Sequence, residues 1–339
     1  MGHARRAFVE QPDLTQDYGA ATAAGPAKVA AEAMLSAVPR RRVEPIVIDR
    51  LSKSFSGKPA VRNLSFIVEP GVVTGFLGPN GAGKTTTLRM LVGLATPDAG
   101  AATFGPYAYA DLPHPQQTVG CVLEANFHPG RTGRNHLRVL AATADVGDDR
   151  VDELLRLMGL TQAADRPAGG YSMGMRQRLA LAGALLGDPD YLILDEPANG
   201  LDPEGIRWLR AFLRNFASQG RMVLMSSHLL NEVGATADDI VIINAGRLVK
   251  QATMAELGIA EVTSRVRVSH YDRAERAIAE LGVAIERGTD EQGPFLRVRT
   301  ADLYVIGAAL FNAEVAVFEL TREPYDLEEQ FFEMLEAPR

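Results

Sequence analysis

Residues 78–85 read Gly78-Pro79-Asn80-Gly81-Ala82-Gly83-Lys84-Thr85, a match to G-x-x-x-x-G-K-[ST]. The apolar run Val72–Leu77 before it reads as a buried strand, and Lys84–Leu94 after it has the length and pattern of a helix. That strand–loop–helix context is what the motif requires. Glycines at 78, 81 and 83 permit backbone angles closed to other residues, so successive N–H groups can turn inward around phosphates. The helix beginning near Lys84 adds the positive end of its dipole. Lys84 supplies a point charge for the β and γ phosphates, and the Thr85 hydroxyl is a Mg²⁺ ligand. A glycine-rich turn with a fortuitous lysine is the bland alternative, and correct flanks with a second motif downstream argue against it. By itself the loop does not separate ATPase, GTPase and kinase.

The second motif is Tyr191-Leu192-Ile193-Leu194-Asp195-Glu196, an apolar strand ending in adjacent carboxylates. Side chains alternate along a strand, but at its frayed end both acids can reach a nucleotide. Asp195 then holds the metal shell and Glu196 orients or deprotonates the attacking water. The stretch from Lys84 to Asp195 is too long for one crossover helix. Residues 132–187 fill it with a mostly helical pattern, including Val151, Leu154, Leu155 and Met158 at helical spacing. Within this insertion Ser172 precedes an apolar helical run and reads as its N-cap, making a second helix N-terminus available to an anion.

The phosphate loop, the Ser172-Met173-Gly174-Met175 helix start, the Asp195-Glu196 strand end, Asn199-Gly200-Leu201-Asp202 and His228 occur in the order of an ABC-transporter nucleotide-binding domain. The resemblance covers about residues 46–250. It is nearest to ATPase subunits of bacterial ABC-2-type exporters, including those of antibiotic resistance and drug efflux, through Tyr171–Arg178 and the ending Tyr325–Phe332. It implies an α/β fold: a P-loop ABC ATPase core with a β-subdomain and a helical insertion. It also assigns roles. Phe55 matches the aromatic that stacks on adenine, and Gly78 to Thr86 match the Walker A loop. Asp195 and Glu196 match Walker B, and His228 matches the switch histidine at the γ-phosphate. Ser172, Met173, Gly174 and Met175 match the signature that contacts ATP on the opposite subunit, and Asp202 lies in the loop linking the two sites. The implied assembly is a head-to-tail homodimer with two MgATP between the copies. It would drive export through a polytopic permease on a separate chain, at the cytoplasmic face of the membrane.

Two positions depart from the family pattern. Glu124 stands where a Gln usually follows the strand Val119–Leu123, and it reads as a metal-shell and coupling residue alongside Thr85 and Asp195. The signature carries methionines at 173 and 175 but keeps Gly174, whose backbone must approach a phosphate closely. Phe55 could instead be core, and His228 could be a helix-start histidine.

Elsewhere the chain of 339 residues carries 35 basic and 42 acidic side chains, a net charge of −7 that speaks against nucleic acid as a partner. Its one cysteine, Cys121, rules out an internal disulfide. No apolar run reaches the roughly 18 residues needed to span a bilayer, so a membrane role requires a partner. Residues 1–44 read as a disordered tail, or as a short helix Ala30–Val38 with Arg40–Arg42 touching anionic lipid. The core occupies 45–250, with its helical part at about 125–188. Within it Ile46–Ile48, Leu64–Val68, Met222–Met225 and Ile240–Ile243 read as strands, with a turn at Gly57–Pro59.

Residues 260–339 read as a separate α+β unit. Its strands are Arg265–Val268, Val283–Ile285, Phe295–Val298 and Val315–Phe318. Its helices carry Ala274, Ala277, Ile278 and Leu281, then Leu303–Phe311, with a closing helix Asp326–Leu335. The order βαββαβ fits a ferredoxin-like domain. A soluble ABC ATPase of ribosomes or DNA repair is the second class considered. One module, one cysteine and no heptad arm weigh against it. A scaffold that binds ATP without turnover is the third, and Glu196 weighs against that.

Overall fold

The computed structural model describes residues 43–323 apart from 126, 258–262 and 301. Residues 1–42 with their arginine cluster, the helix expected at Asp326–Leu335 and the family-like ending Tyr325–Phe332 lie outside the described residues, while Val43, expected in the tail, is buried in the core. The first two strands, β1 (Ile46–Phe55) and β2 (Lys58–Val68), form a hairpin closed by Ser56 and Gly57. Both turn residues have positive φ, 48° and 76°, as a two-residue type I′ turn demands. Both strands are longer than the sequence suggested, and the turn falls one residue earlier. Register shifts after Ile48, Leu51 and Lys53 break the apolar alternation that would have revealed the full length.

Strand β3 (Val73–Leu77) leads into helix α1 (Lys84–Leu91), which stops three residues short of the expected end, where Gly93 turns at φ 72°. Strand β4 (Ala99–Phe104) joins β1 to complete a three-stranded antiparallel sheet ordered β2-β1-β4. The strand Ala-Gly-Ala-Ala-Thr-Phe offers little hydrophobic contrast, so no sequence reading found it.

After β5 (Val119–Val122) come the three insertion helices, α2 (Gly133–Thr143), α3 (Asp148–Leu157) and α4 (Met173–Ala184). The chain then runs β6 (Tyr191–Leu194), α5 (Pro203–Ser218), β7 (Met222–Ser227), α6 (Leu230–Gly234), β8 (Asp239–Asn244) and β9 (Arg247–Thr253). The six-stranded sheet is ordered β5-β6-β7-β3-β8-β9, parallel except for β9.

Side-chain alternation explains why its strands read as unbroken apolar runs. Val73, Leu192, Leu194, Val223, Met225, Ile240 and Ile242 join the insertion helices and α5 in one core. Phe76, Tyr191, Ile193, Met222, Leu224, Val241 and Ile243 join α1 and the three-stranded sheet in another. A parallel sheet buried on both faces needs apolar residues at every position. The edge strand β9 carries Arg247, Lys250 and Gln251, and this polarity hid it.

Gly120 marks the tightest seam between sheet and insertion. A Cβ there would sit 2.3 Å from the Ala184 carbonyl oxygen at the end of α4. Only glycine lets that helix end rest on the strand backbone.

The last described unit runs β10 (Thr263–Val268), α7 (Tyr271–Ala279), β11 (Ile285–Asp290), β12 (Gly293–Val298), α8 (Leu303–Asn312) and β13 (Val317–Glu323). Its antiparallel sheet, ordered β11-β12-β10-β13, gives the βαββαβ arrangement expected of a ferredoxin-like fold. Val266, Val268, Ala274, Ile278, Leu296, Ile306 and Leu310 form its own core. Strand β11 sits farther along than Val283–Ile285 because it is an edge strand of mostly polar residues, Ile-Glu-Arg-Gly-Thr-Asp.

Candidate functional site

The C-terminal ends of the parallel strands meet where the order of connection reverses around β3, the place where open α/β sheets bind ligands. β3 delivers residues 78–85, β6 delivers Asp195 and Glu196, and β7, lying between those two strands, delivers Ser226, Ser227 and His228. The loop does not use its glycines uniformly. Gly81 and Gly83 take left-handed φ of 81° and 106°. Gly78 does not; a Cβ there would come within 2.5 Å of the Ile243 carbonyl oxygen. Its requirement is close approach to β8, not special torsion. Pro79 and Ala82 close the turn by a 3.0 Å backbone bond, and the Ala82 carbonyl accepts from Gly246 at 2.9 Å.

Lys84 is 6% exposed. Its ammonium donates to the Gly78 carbonyl at 2.7 Å and lies 3.4 Å from Glu196 Oε1. Thr85 donates its hydroxyl to Asp195 Oδ2 at 2.6 Å. Ser226 completes the assembly: its hydroxyl donates to Asp195 Oδ1 and accepts the Glu196 N–H at 3.0 Å. Glu196 has φ 49°. This left-handed turn immediately after the strand lets consecutive acids face one site, a strain of order 1–3 kcal/mol. Its other oxygen, Oε2, lies 2.8 Å from His228 Nδ1. With the carboxylate accepting, the hydrogen of this bond sits on Nδ1.

Ser226 was the residue the sequence reading passed over. The only trace was the Ser-Ser-His run after an apolar strand, and β7 extends two residues beyond Met225 to include both serines.

The signature residues gather elsewhere. Ser172 caps α4 by accepting the Met175 N–H at 3.3 Å, and Asp202 caps α5 by accepting the Gly205 N–H at 2.7 Å. Ser172, Gly174, Met175, Gly200 and Asp202 line an open cavity of about 620 Å³ with Arg166 and Arg178, and no phosphate-loop residue lines it. A Cβ at 174 would meet only Leu201 at 3.5 Å, an ordinary contact. Phe55 is not core: its ring is 52% exposed beside the hairpin tip. Glu124, exposed after β5, is gripped by Arg89 of α1 at 2.6 Å. Cys121 nearby is mostly buried, which pushes its thiol up to about 12 and leaves it protonated and unreactive.

Comparison with known proteins places this geometry. The ABC transporter family model matches residues 61–199. The Bacillus subtilis ABC transporter ATP-binding protein YdbJ is 32% identical over 300 residues, covering 87% of this chain and 96% of that protein. The chain belongs to the ABC transporter ATP-binding proteins.

The bacitracin transport ATP-binding protein BcrA of Bacillus licheniformis is 37% identical over 205 residues, 59% of this chain and 67% of that one. A solved ATP-binding subunit of an ABC transporter superposes with a TM-score of 0.57 at 28% identity, covering 62% of this chain and 91% of that chain. This ABC protein is accordingly an ATPase with a P-loop α/β core. Among the described residues no helix is long and apolar enough to cross a membrane.

Proposed function

We propose that two copies of this ATPase pair head to tail and clasp two ATP molecules. In each site the glycine loop and Lys84 of one copy face the Ser172 helix tip of the other. The carrying observation is that the Ser172–Gly174 tip lines a cavity apart from the chain's own phosphate loop. Among the described residues nothing requires a glycine at 174, which suits a backbone pressed against another copy's phosphate. Lys84 and the loop N–H groups bind the β and γ phosphates, Glu196 takes the proton of the attacking water, and His228 holds the glutamate's carboxylate in line. Phe55 is the adenine platform, and Asp202 joins the two sites through the start of α5.

The Thr85 hydroxyl and the Asp195 carboxylate, 2.6 Å apart, are hard oxygen donors suited to Mg²⁺, which takes few protein ligands and completes its shell with phosphate and water. Bound there, the ion would neutralise developing charge on the phosphates. Glu124 joins this shell by exchanging Arg89 for the metal. Glu124→Ala should therefore raise the Mg²⁺ concentration giving half-maximal ATPase activity. An unchanged Mg²⁺ titration removes Glu124 from the site.

We also propose three parts to the chain. These are an N-terminal tail to residue 44, an ATPase domain over 45–250 with its helical part at about 125–188, and an accessory α+β domain from 260. The work of hydrolysis would be spent on export of a drug, antibiotic or lipid-like substrate through a separate polytopic permease, from the cytoplasmic face. The 38% identity to a Nod factor export ATP-binding protein of Burkholderia pseudomallei supports that direction, and the likeness to a bacitracin transport protein supports the substrate class. Purification from native membranes with mild detergent should bring down a polytopic protein. Its absence, with ribosomal or nucleic-acid components in its place, would overturn the transport reading.

A further inference from the structure

We propose that Asp98 is a positioning residue for nucleotide binding, acting through Lys53 to set the ring of Phe55. Phe55 ends β1, two residues from Lys53, and the irregular strand end brings their side chains together. This strand end is poorly held by its own ladder, since register shifts fall on either side of Lys53. The Phe55 ring is half exposed and no core cluster packs around it.

Asp98, across the sheet at the start of β4, clasps the strand end at three points. Its N–H donates to the Ser52 carbonyl at 2.8 Å. One carboxylate oxygen accepts the Ser54 N–H at 2.7 Å and the other the Lys53 ammonium at 2.8 Å. The same ammonium lies 5.6 Å from the centre of the Phe55 ring, within cation–π range. The Lys53 hydrogen bond, followed by the Ser54 N–H, holds the Asp98 carboxyl below the usual carboxylate range, so the clasp is ionised at neutral pH. A ring ordered before the nucleotide arrives loses less entropy on stacking.

This inference rests on Phe55 being the adenine platform, and a double-mutant cycle tests the two separately. ATPase KM and kcat are measured for the full chain, for Phe55→Ala, for Asp98→Ala and for the double variant. Inhibition by inorganic tripolyphosphate serves as a probe lacking a base. Phe55→Ala should raise the ATP KM on the order of tenfold, the scale of one aromatic–base stack. Asp98→Ala should raise it about fourfold, with kcat and tripolyphosphate inhibition held, and should add nothing further in the Phe55→Ala background. Lys53→Met and Asp98→Asn carry the same test if Asp98→Ala does not fold.

A fourfold penalty that persists in the double variant, or that falls equally on tripolyphosphate, would make Asp98 merely structural and overturn the proposal. So would an unchanged KM in Asp98→Ala while Phe55→Ala raises it. An unchanged KM in Phe55→Ala overturns the platform reading itself, and this inference with it.

Discussion

Replacing Glu196 by glutamine should reduce ATP hydrolysis by about 10²–10⁴-fold while ATP binding survives, so that ATP-loaded dimers accumulate. The substitution keeps the size of the side chain and an oxygen for His228 Nδ1, 2.8 Å away in the native protein. It removes the one thing a base needs, a carboxylate that can accept a proton. Ser226 continues to hold the Glu196 backbone N–H, because that bond does not involve the side chain. Phosphate release and light scattering with ATP present measure the two halves of the expectation. Hydrolysis at the native rate would remove Glu196 from the chemistry. Lost hydrolysis with monomers only would leave the base in place and sink the sandwich.

Replacing Lys84 by alanine should weaken ATP binding roughly a hundredfold, about 3 kcal/mol, the upper end for a charge-assisted contact. The lysine is buried by the fold and pinned to the Gly78 carbonyl, so its charge is already placed before the nucleotide arrives. Its removal also takes the countercharge from Glu196, whose side chain is only 20% exposed. A lower thermal midpoint should therefore accompany the loss. Titration calorimetry with ATP checks the binding term, and affinity within a few-fold of native would exclude Lys84 from the phosphate site.

The phosphate loop and the strand ends were legible because each motif fixes residue types at the end of a strand, and the parallel sheet then aligns those ends. Lys84, Thr85, Asp195, Glu196 and His228 come together in this way. Their connection was not legible. It runs through Ser226, whose bonds to both acids depend on β7 lying between β3 and β6, an order no local pattern encodes. Glu124 shows the same limit, since its Arg89 partner lies 35 residues away on another element. In the fold, β3 and β6 announced themselves through two-sided burial, whereas β4, β9 and β11 hid in small or polar residues. The bulged β1 disguised its length, while the ferredoxin-like order could be read because α7 and α8 show clear helical patterns between strands.

The seam at Gly120 has a mechanical consequence. The Asp195 N–H is bonded to the Val122 carbonyl of β5, and two residues earlier the same strand's backbone bears the butt end of α4. That helix is twelve residues long, so its far tip at Ser172 lies about 18 Å from the seam. A stiff rod seated on the strand beside the acids converts a small tilt at its foot into a larger sweep at its head. In the proposed dimer the reach of the helix would tie what happens at one triphosphate to the grip on its neighbour.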